Sequence, residues 1–143
     1  MKEDFLISIC GEQYVDGQHD RIEMTTVGSF TKKQNSYYIC YRENEEFGMR
    51  NVTTVLKVED DQITLLRSGE RRSRMVLQKG KRHLCHYHTD VGEMMVGVAA
   101  KRIHTALNDQ GGQLDFQYDL DINTTFSSSN EVHITVKKAG SSS

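Results

Sequence analysis

The chain has 143 residues and a formal charge of −2, from 20 acidic and 18 basic residues, and it contains no proline and no tryptophan. This length fits one domain, the near-neutral charge argues against wholesale nucleic-acid binding, and no run approaches the roughly 20 apolar residues of a membrane-spanning helix. The first residues lack a basic region followed by a long apolar run, so we expect a cytoplasmic protein with no membrane partner.

Apolar and polar residues alternate along most of the chain, as in β-strands with one buried face, and short glycine-containing turns separate the segments. Residues 100–107 fit a strand or a short helix, and their alternation favours the strand. Gly28 lies inside the second segment and indicates a bulge or a bend there. We predict strands over residues 5–10 with an extension to 15, 20–31, 36–42, 51–59, 63–67, 73–78, 82–89, 93–107, 114–122 and 131–137.

Nine or ten such strands with almost no helix predict an all-β protein with one domain over residues 1–139 and a disordered tail over 140–143. Hairpins in series favour an antiparallel up-and-down sheet, and closure into a barrel removes the exposed edges of such a sheet. A sandwich would also fit the alternation. The long series of tight hairpins favours a single antiparallel barrel of about 8–10 strands.

Several short motifs recur in a fixed order along nearly the whole chain. They are Asp16-Gly17 with Asp20, Ile22 and Glu23; Gly48-Met49; Thr53-Thr54 with Leu56-Lys57; Arg67-Ser68-Gly69 with Met75; Tyr87, Thr89 and Gly92 as Y-x-T-x-x-G; and Gly111-Gly112 with Leu114, Tyr118 and Leu120. In this order the chain resembles the YwiB-like family of bacterial domains of unknown function. The resemblance implies a calycin-type, lipocalin-like β-barrel and a bacterial source, and it implies no activity. The Gly-x-Trp of true lipocalins is absent.

The leading functional hypothesis concerns the interior of this barrel. If Ile63 and Leu65 face inward, strand parity turns Arg67 inward at the barrel mouth. A buried arginine requires an anion or several acceptors, and the anion could be a ligand or a structural carboxylate. We therefore predict a non-enzymatic barrel that binds a small anionic or amphipathic molecule at its mouth. The predicted ligand-binding residues are Arg67, Met75, Tyr87, Thr89 and Tyr118.

The hairpins from Arg67 to Arg82 carry the densest positive charge of the chain, and we expect them to gather it at one end and on one face of the sheet. The candidate anion patch consists of Arg71, Arg72, Arg74, Lys81 and Arg82. A solvated face is the simpler interpretation. The alternative hypothesis is a module that binds an acidic protein or RNA, with nucleic acid disfavoured because Tyr87 is the one aromatic residue nearby.

The third hypothesis is a metal site at His86 and His88, which share one face of a strand. Zinc needs three or four ligands, and Asp90, Glu93 or His104 would complete the set only if the fold brings them close. Cys85 points away from His86 on a strand, so the pair does not form a nucleophile and its base. The sequence thus predicts no cofactor, no metal and no catalytic residue, and leaves the oligomeric state open.

Overall fold

The structure is a computed structural model that describes residues 5–42, 52–69, 72–89, 92–122 and 125–139, without the side chains of residues 87–89, 93, 126 and 127. The described residues form ten strands. They are β1 (Phe5–Val15), β2 (Gln18–Lys33), β3 (Ser36–Arg42), β4 (Val52–Val58), β5 (Gln62–Gly69), β6 (Ser73–Gln78), β7 (Arg82–Thr89), β8 (Gly92–Asn108), β9 (Gly111–Ile122) and β10 (Thr125–Lys138). The predicted tail, 140–143, lies outside these ranges.

Each strand pairs antiparallel with the next one in the chain, and β1 pairs with β10, so the sheet closes into a barrel. This confirms the predicted up-and-down barrel, and the sandwich alternative is wrong. Closure leaves none of the ten strands with an unpaired edge. No helix in the described ranges is long and apolar enough to span a membrane.

A register shift in β8 explains why its sequence fitted either a strand or a short helix. It is one strand of 17 residues, and its register with β9 shifts between Ala100 and Arg102. A bulge inserts one residue into a strand, so the inward positions change from even numbers, such as Val98, to odd numbers, such as Ile103. The alternative of a short helix after Ala99 is wrong, because strand pairing continues to Asn108.

Gly28 does not mark a bulge. Residues 18–28 of β2 pair with β1 and residues 28–33 pair with β3, so the two ladders overlap at Gly28, and neither shifts its register. The glycine is required by packing instead, because a Cβ here would overlap the carbonyl oxygen of Cys40 and lie 2.5 Å from Cδ1 of Ile7. The prediction of a bulge at Gly28 was therefore wrong, and the bulges lie in β8 and β10.

The core fills one half of the barrel, which we call the closed end; it contains the β2–β3, β4–β5 and β8–β9 turns. Phe30 packs there between Phe5, at 5.3 Å between ring centroids, and Tyr37, at 5.6 Å. The largest fully buried side chains include Ile7, Ile39, Leu56, Ile63, Leu77, Leu114 and Ile134. Burial of each contributes about 1.5–3 kcal/mol. The opposite half, with the β1–β2 turn, is the mouth.

Candidate functional site: a cavity in the barrel mouth

The mouth contains a cavity of about 640 Å³. Most of its wall is made by inward positions of β1, β2, β3, β5, β9 and β10, from both halves of the ring, and Glu12, Arg21 and Glu131, which have outward parity, border it. The lining residues are Ile9, Gly11, Glu12, Gln13, Asp20, Arg21, Ile22, Met24, Tyr41, Arg67, Tyr118, Asn130, Glu131 and Val132. The barrel is therefore filled at the closed end and hollow at the mouth.

One polar row on the inner wall contains Arg67. In this row Tyr41 on β3 is in register with Thr54 on β4, and Thr54 is in register with Arg67 on β5. Thr54 is fully buried, and Nε of Arg67 is also shielded from water. This end of β5 thus presents a positive charge to the cavity from a partly buried position, where electrostatic interactions are stronger than in water.

A second polar row faces it from the other side of the ring. Asp20, Gln13, Asn130 and Tyr118 follow one another in register across β2, β1, β10 and β9. Asn130 is buried, and its Nδ2 donates a hydrogen bond to Oγ of Ser128 at 3.0 Å, which orients the amide. β5 and β10 are five strands apart in the ring of ten, so Arg67 and Asn130 approach the cavity from opposite walls.

Apolar surface lies between the two polar rows. Ile22 has inward parity and lines the cavity, yet it is 57% exposed, so an apolar wall of the cavity faces solvent. Ile9 and Met24 lie deeper, one register step toward the core. Gly11 contributes no side chain, and a Cβ built on it would meet nothing within 4 Å. The absent side chain at Gly11 keeps part of the cavity open.

The structure brings together two of the five residues predicted to bind a ligand. Arg67 and Tyr118 both line the cavity, and the Tyr118 ring stacks on Phe116 at 6.1 Å between centroids. Met75 lies elsewhere, because it is 3% exposed and packs within the core. Tyr87 and Thr89 belong to β7, but their side chains lie outside the described part of the protein.

The sequence hypothesis missed Gln13, Asp20, Ile22 and Asn130 as wall residues. The parity of β2 already carried part of the signal, because Asp20 shares the face of Ile22 and Met24. The signal for Asn130 was weaker, since the alternation of β10 was recognised only from Glu131 onward while the strand begins at Thr125. The contribution of Gln13 and Asn130 to one wall also depends on the β1–β10 closure.

The predicted basic patch does not form one surface. Arg72 follows the mouth end of β5, whereas Lys81 lies in the turn at the opposite end of β6, and the Arg67 side chain faces the interior. Arg74 is exposed on the outer face of β6. The expectation that the hairpins gather this charge at one end was wrong, because each strand carries its two flanking turns to opposite ends of the barrel. Arg71 lies outside the described residues.

Arg82 is engaged in an ion pair. Its Nε and NH2 groups donate to the two oxygens of Asp121 at 2.9 and 2.6 Å. To reach β9 the guanidinium crosses β8 above Gly97, where any Cβ would overlap it. The hydrogen bonds that Arg82 donates to Asp121 raise the pKa of Arg82. This pairing weakens the case for Arg82 as part of an anion-binding surface.

The histidines of β7 do not converge on a metal site within the described residues. Nε2 of His83 lies 2.8 Å from Oε1 of Gln78, and Cys85 is buried in the core. His86 is exposed on the outer face and pairs in register with Arg74, whose charge would repel a cation. The His88 side chain is not among those described, so its part in the hypothesis stays a prediction.

Comparisons with known proteins agree with this architecture. The family model "Domain of unknown function (DUF1934)" matches residues 7–134. The uncharacterized beta-barrel protein YwiB of Bacillus subtilis (strain 168) is 28% identical over 107 residues, which cover 75% of this chain and 74% of that protein. The crystal structure of the ywiB protein from Bacillus subtilis superposes with a TM-score of 0.82 at 23% identity, over 97% of this chain and 95% of that chain.

Proposed function

Since the chain belongs to the DUF1934 family of domains of unknown function, it inherits no activity, and we propose that its barrel binds one small molecule, with an anionic group and an apolar body, in the mouth. The observation that carries the proposal is the cavity wall, where Arg67 occurs together with apolar side chains such as the solvent-exposed Ile22. A structural carboxylate is the competing explanation for Arg67 alone. It does not explain the open space beside Gly11.

The size of the cavity supports a ligand of small-molecule dimensions. Its volume of about 640 Å³ falls inside the range of about 300–1,000 Å³ typical of ligand sites. Such sites are mostly apolar and contain a few placed polar groups. The mouth combines the apolar surface of Ile9, Ile22 and Met24 with the two polar rows, and it is more charged than such sites usually are, because Glu12, Arg21 and Glu131 also border it.

The charges of the wall give the ligand an orientation. The guanidinium of Arg67 presents donors in a planar fork that matches a carboxylate or a phosphate. Asp20 on β2 would repel the same group, so the anionic end is directed toward the β5 wall. Tyr41 offers a hydrogen-bonding group on the same side as Arg67, while Tyr118 and Asn130 offer theirs on the opposite wall. The apolar body rests on Ile22 and Met24.

The described lining does not point to a particular reaction. Serine and cysteine nucleophiles are usually activated by a histidine. The described lining contains no histidine, cysteine or serine, so it holds no Ser–His or Cys–His pair. We therefore propose a binding protein, and we assign no chemical step to it.

Two naphthalene probes test the proposal. The first is 1-anilinonaphthalene-8-sulfonate, which is anionic, and the second is the neutral N-phenyl-1-naphthylamine, which has the same aromatic body. Gly11→Leu should fill the cavity and weaken both probes at least about tenfold, the loss expected when roughly 1.4 kcal/mol of binding free energy is removed. Arg67→Met should weaken the sulfonate by a similar factor and leave the neutral probe nearly unchanged.

A matched control separates loss of the cavity from loss of the fold. Thr25→Leu adds the same side chain to the exposed outer face of β2 and should leave the affinity for both probes unchanged. Melting temperatures of the three variants must stay near that of the parent. Equal binding of the probes by the parent and by a folded Gly11→Leu variant would refute the proposal. Native mass spectrometry of freshly purified parent, with a bound small molecule expected, is the complementary measurement.

A further inference from the structure

The outer face of the β1–β10 pair carries a compact group of metal-ligating side chains. Cys10 is in register with His133, and Glu12 is in register with Glu131, so the four residues form a square on adjacent strands. Ligand atoms of Glu12, Glu131 and His133 all lie within 4.8 Å of one another. The square is built by barrel closure, because β1 and β10 are the first and last strands of the ring.

These distances suit a divalent transition ion. Zinc binds carboxylate oxygen and imidazole nitrogen at about 2.0–2.2 Å, which places tetrahedral donors about 3.4 Å apart. Ligand atoms that lie within 4.8 Å of one another would therefore close by up to about 1.4 Å to reach this spacing, and rotation of the two glutamate side chains can supply the movement. Imidazole and carboxylate together favour Zn²⁺ and similar ions over Ca²⁺ and Mg²⁺, which prefer sets of oxygen ligands alone.

The glutamates are placed where two negative charges are unfavourable. Like charges directly opposite one another on antiparallel strands destabilise a sheet, and the Glu12 side chain is only 18% exposed. A bound cation would turn this repulsion into attraction.

The histidine is held by a second carboxylate. Nδ1 of His133 lies 2.6 Å from Oδ1 of Asp115 on β9, which directs Nε2 to serve as the metal ligand. Histidines that bind metals almost always have such a partner on the other ring nitrogen. On the far side of the group, Nε2 of His19 lies 3.4 Å from Oε1 of Glu12, which places a second imidazole beside the glutamates.

From this arrangement we infer that the outer face of the β1–β10 pair is a binding site for a divalent transition ion. Glu12, Glu131 and His133 are the ligands, Asp115 orients His133, and His19 is the candidate for a fourth ligand. The side chains of Glu12, Glu131 and His133 have outward parity, opposite to that of Gly11 and Asn130 in the mouth, although Glu12 and Glu131 also border the mouth cavity. Zinc binding and probe binding are measured separately, so the failure of one proposal is distinguishable from the failure of the other.

Isothermal titration of chelator-treated, full-length protein with ZnCl₂ at pH 7 tests the inference. We expect one ion per chain, and His133→Ala and Glu131→Gln should each weaken binding at least about tenfold. His86→Ala removes an exposed histidine from the distant strand β7 and should leave the affinity unchanged. Absence of saturable binding, or binding that survives both substitutions in the β10 ligands, would overturn the inference.

The stability of Glu131→Gln gives a second readout that does not depend on zinc. In zinc-free protein this variant removes the opposed charges and should melt at the same or a higher temperature than the parent. Added ZnCl₂ should raise the melting temperature of the parent and not that of the variant. If the zinc-free variant melts lower instead, the neighbouring side chains already compensate the two glutamates, and this result would count against a metal.

Discussion

Replacing Gly28 by alanine tests the packing of the closed end most directly. The new Cβ would overlap the carbonyl oxygen of Cys40 and lie 2.5 Å from Cδ1 of Ile7. The methyl group of Ile7 can rotate away, but the carbonyl belongs to the backbone of β3, which pairs with β2 on one side and β4 on the other. Relief thus requires a shift of the strands themselves.

Extra methyl groups in a packed core cost about 1–3 kcal/mol, and the backbone overlap places this substitution near about 3 kcal/mol. For a chain of this size each 1 kcal/mol lowers the melting temperature by roughly 2–4 °C, so the shift should be roughly 6–12 °C. Urea denaturation followed by circular dichroism measures the free energy, and thermal denaturation measures the shift.

Gly11→Ala is the matched control. Gly11 also has inward parity, on the neighbouring strand β1, and a Cβ added to it would enter open space. It should leave the free energy of unfolding unchanged or raise it by about 0.4–1 kcal/mol, since alanine restricts the unfolded chain more than glycine does. If Gly28→Ala and Gly11→Ala have equal stabilities, the proposed difference between a filled closed end and a hollow mouth is refuted.

Gly97→Ala should displace the Arg82 guanidinium from its path to Asp121 and lower the urea midpoint only slightly, because the ion pair is exposed. A double-mutant cycle with Arg82→Met in urea should show the two losses to be non-additive, and additivity would contradict the prediction. Thr105→Val should raise the free energy of unfolding by about 1 kcal/mol, because the buried hydroxyl of Thr105 has no hydrogen-bond partner among the described residues. A urea midpoint lower than that of the parent would contradict this prediction. The raised pKa of Tyr14 means that the folded chain retains a proton that the unfolded chain releases near pH 10, so stability should be complete below that pH and decline above it. Tyr14→Phe should reduce this alkaline decline, and an unchanged pH profile would contradict the assignment.

The alternation of residues was sufficient to predict the strands and the barrel, because each strand has one buried face. It also turned Arg67 and Tyr118 inward, where both line the cavity. It could not distinguish an inward residue of the packed half from one of the hollow half, so Met75 was assigned to the ligand site and lies in the core. That distinction depends on the depth of a residue along the barrel axis, whereas the alternation of residues indicates only which face of the strand is buried.

Features that join distant segments were beyond the reach of the sequence. Glu12 and Glu131 become neighbours only because the ring closes with one specific register between its first and last strands. The Arg82–Asp121 pair spans 39 positions of the chain and depends on a glycine in the strand between them. The split of the basic residues between the two ends follows from where each turn falls, which requires the strand order.

The pairing of β1 with β10 has a consequence for how the protein is made. While the ribosome is still producing the chain, β1 has its partner β2 but awaits β10, the last strand to emerge. Until then the nascent sheet has two unpaired edge strands, which can pair with strands of other molecules. Contacts between such distant segments also form slowly. Premature termination or fast synthesis would therefore leave β1 without β10 and make the protein prone to aggregation.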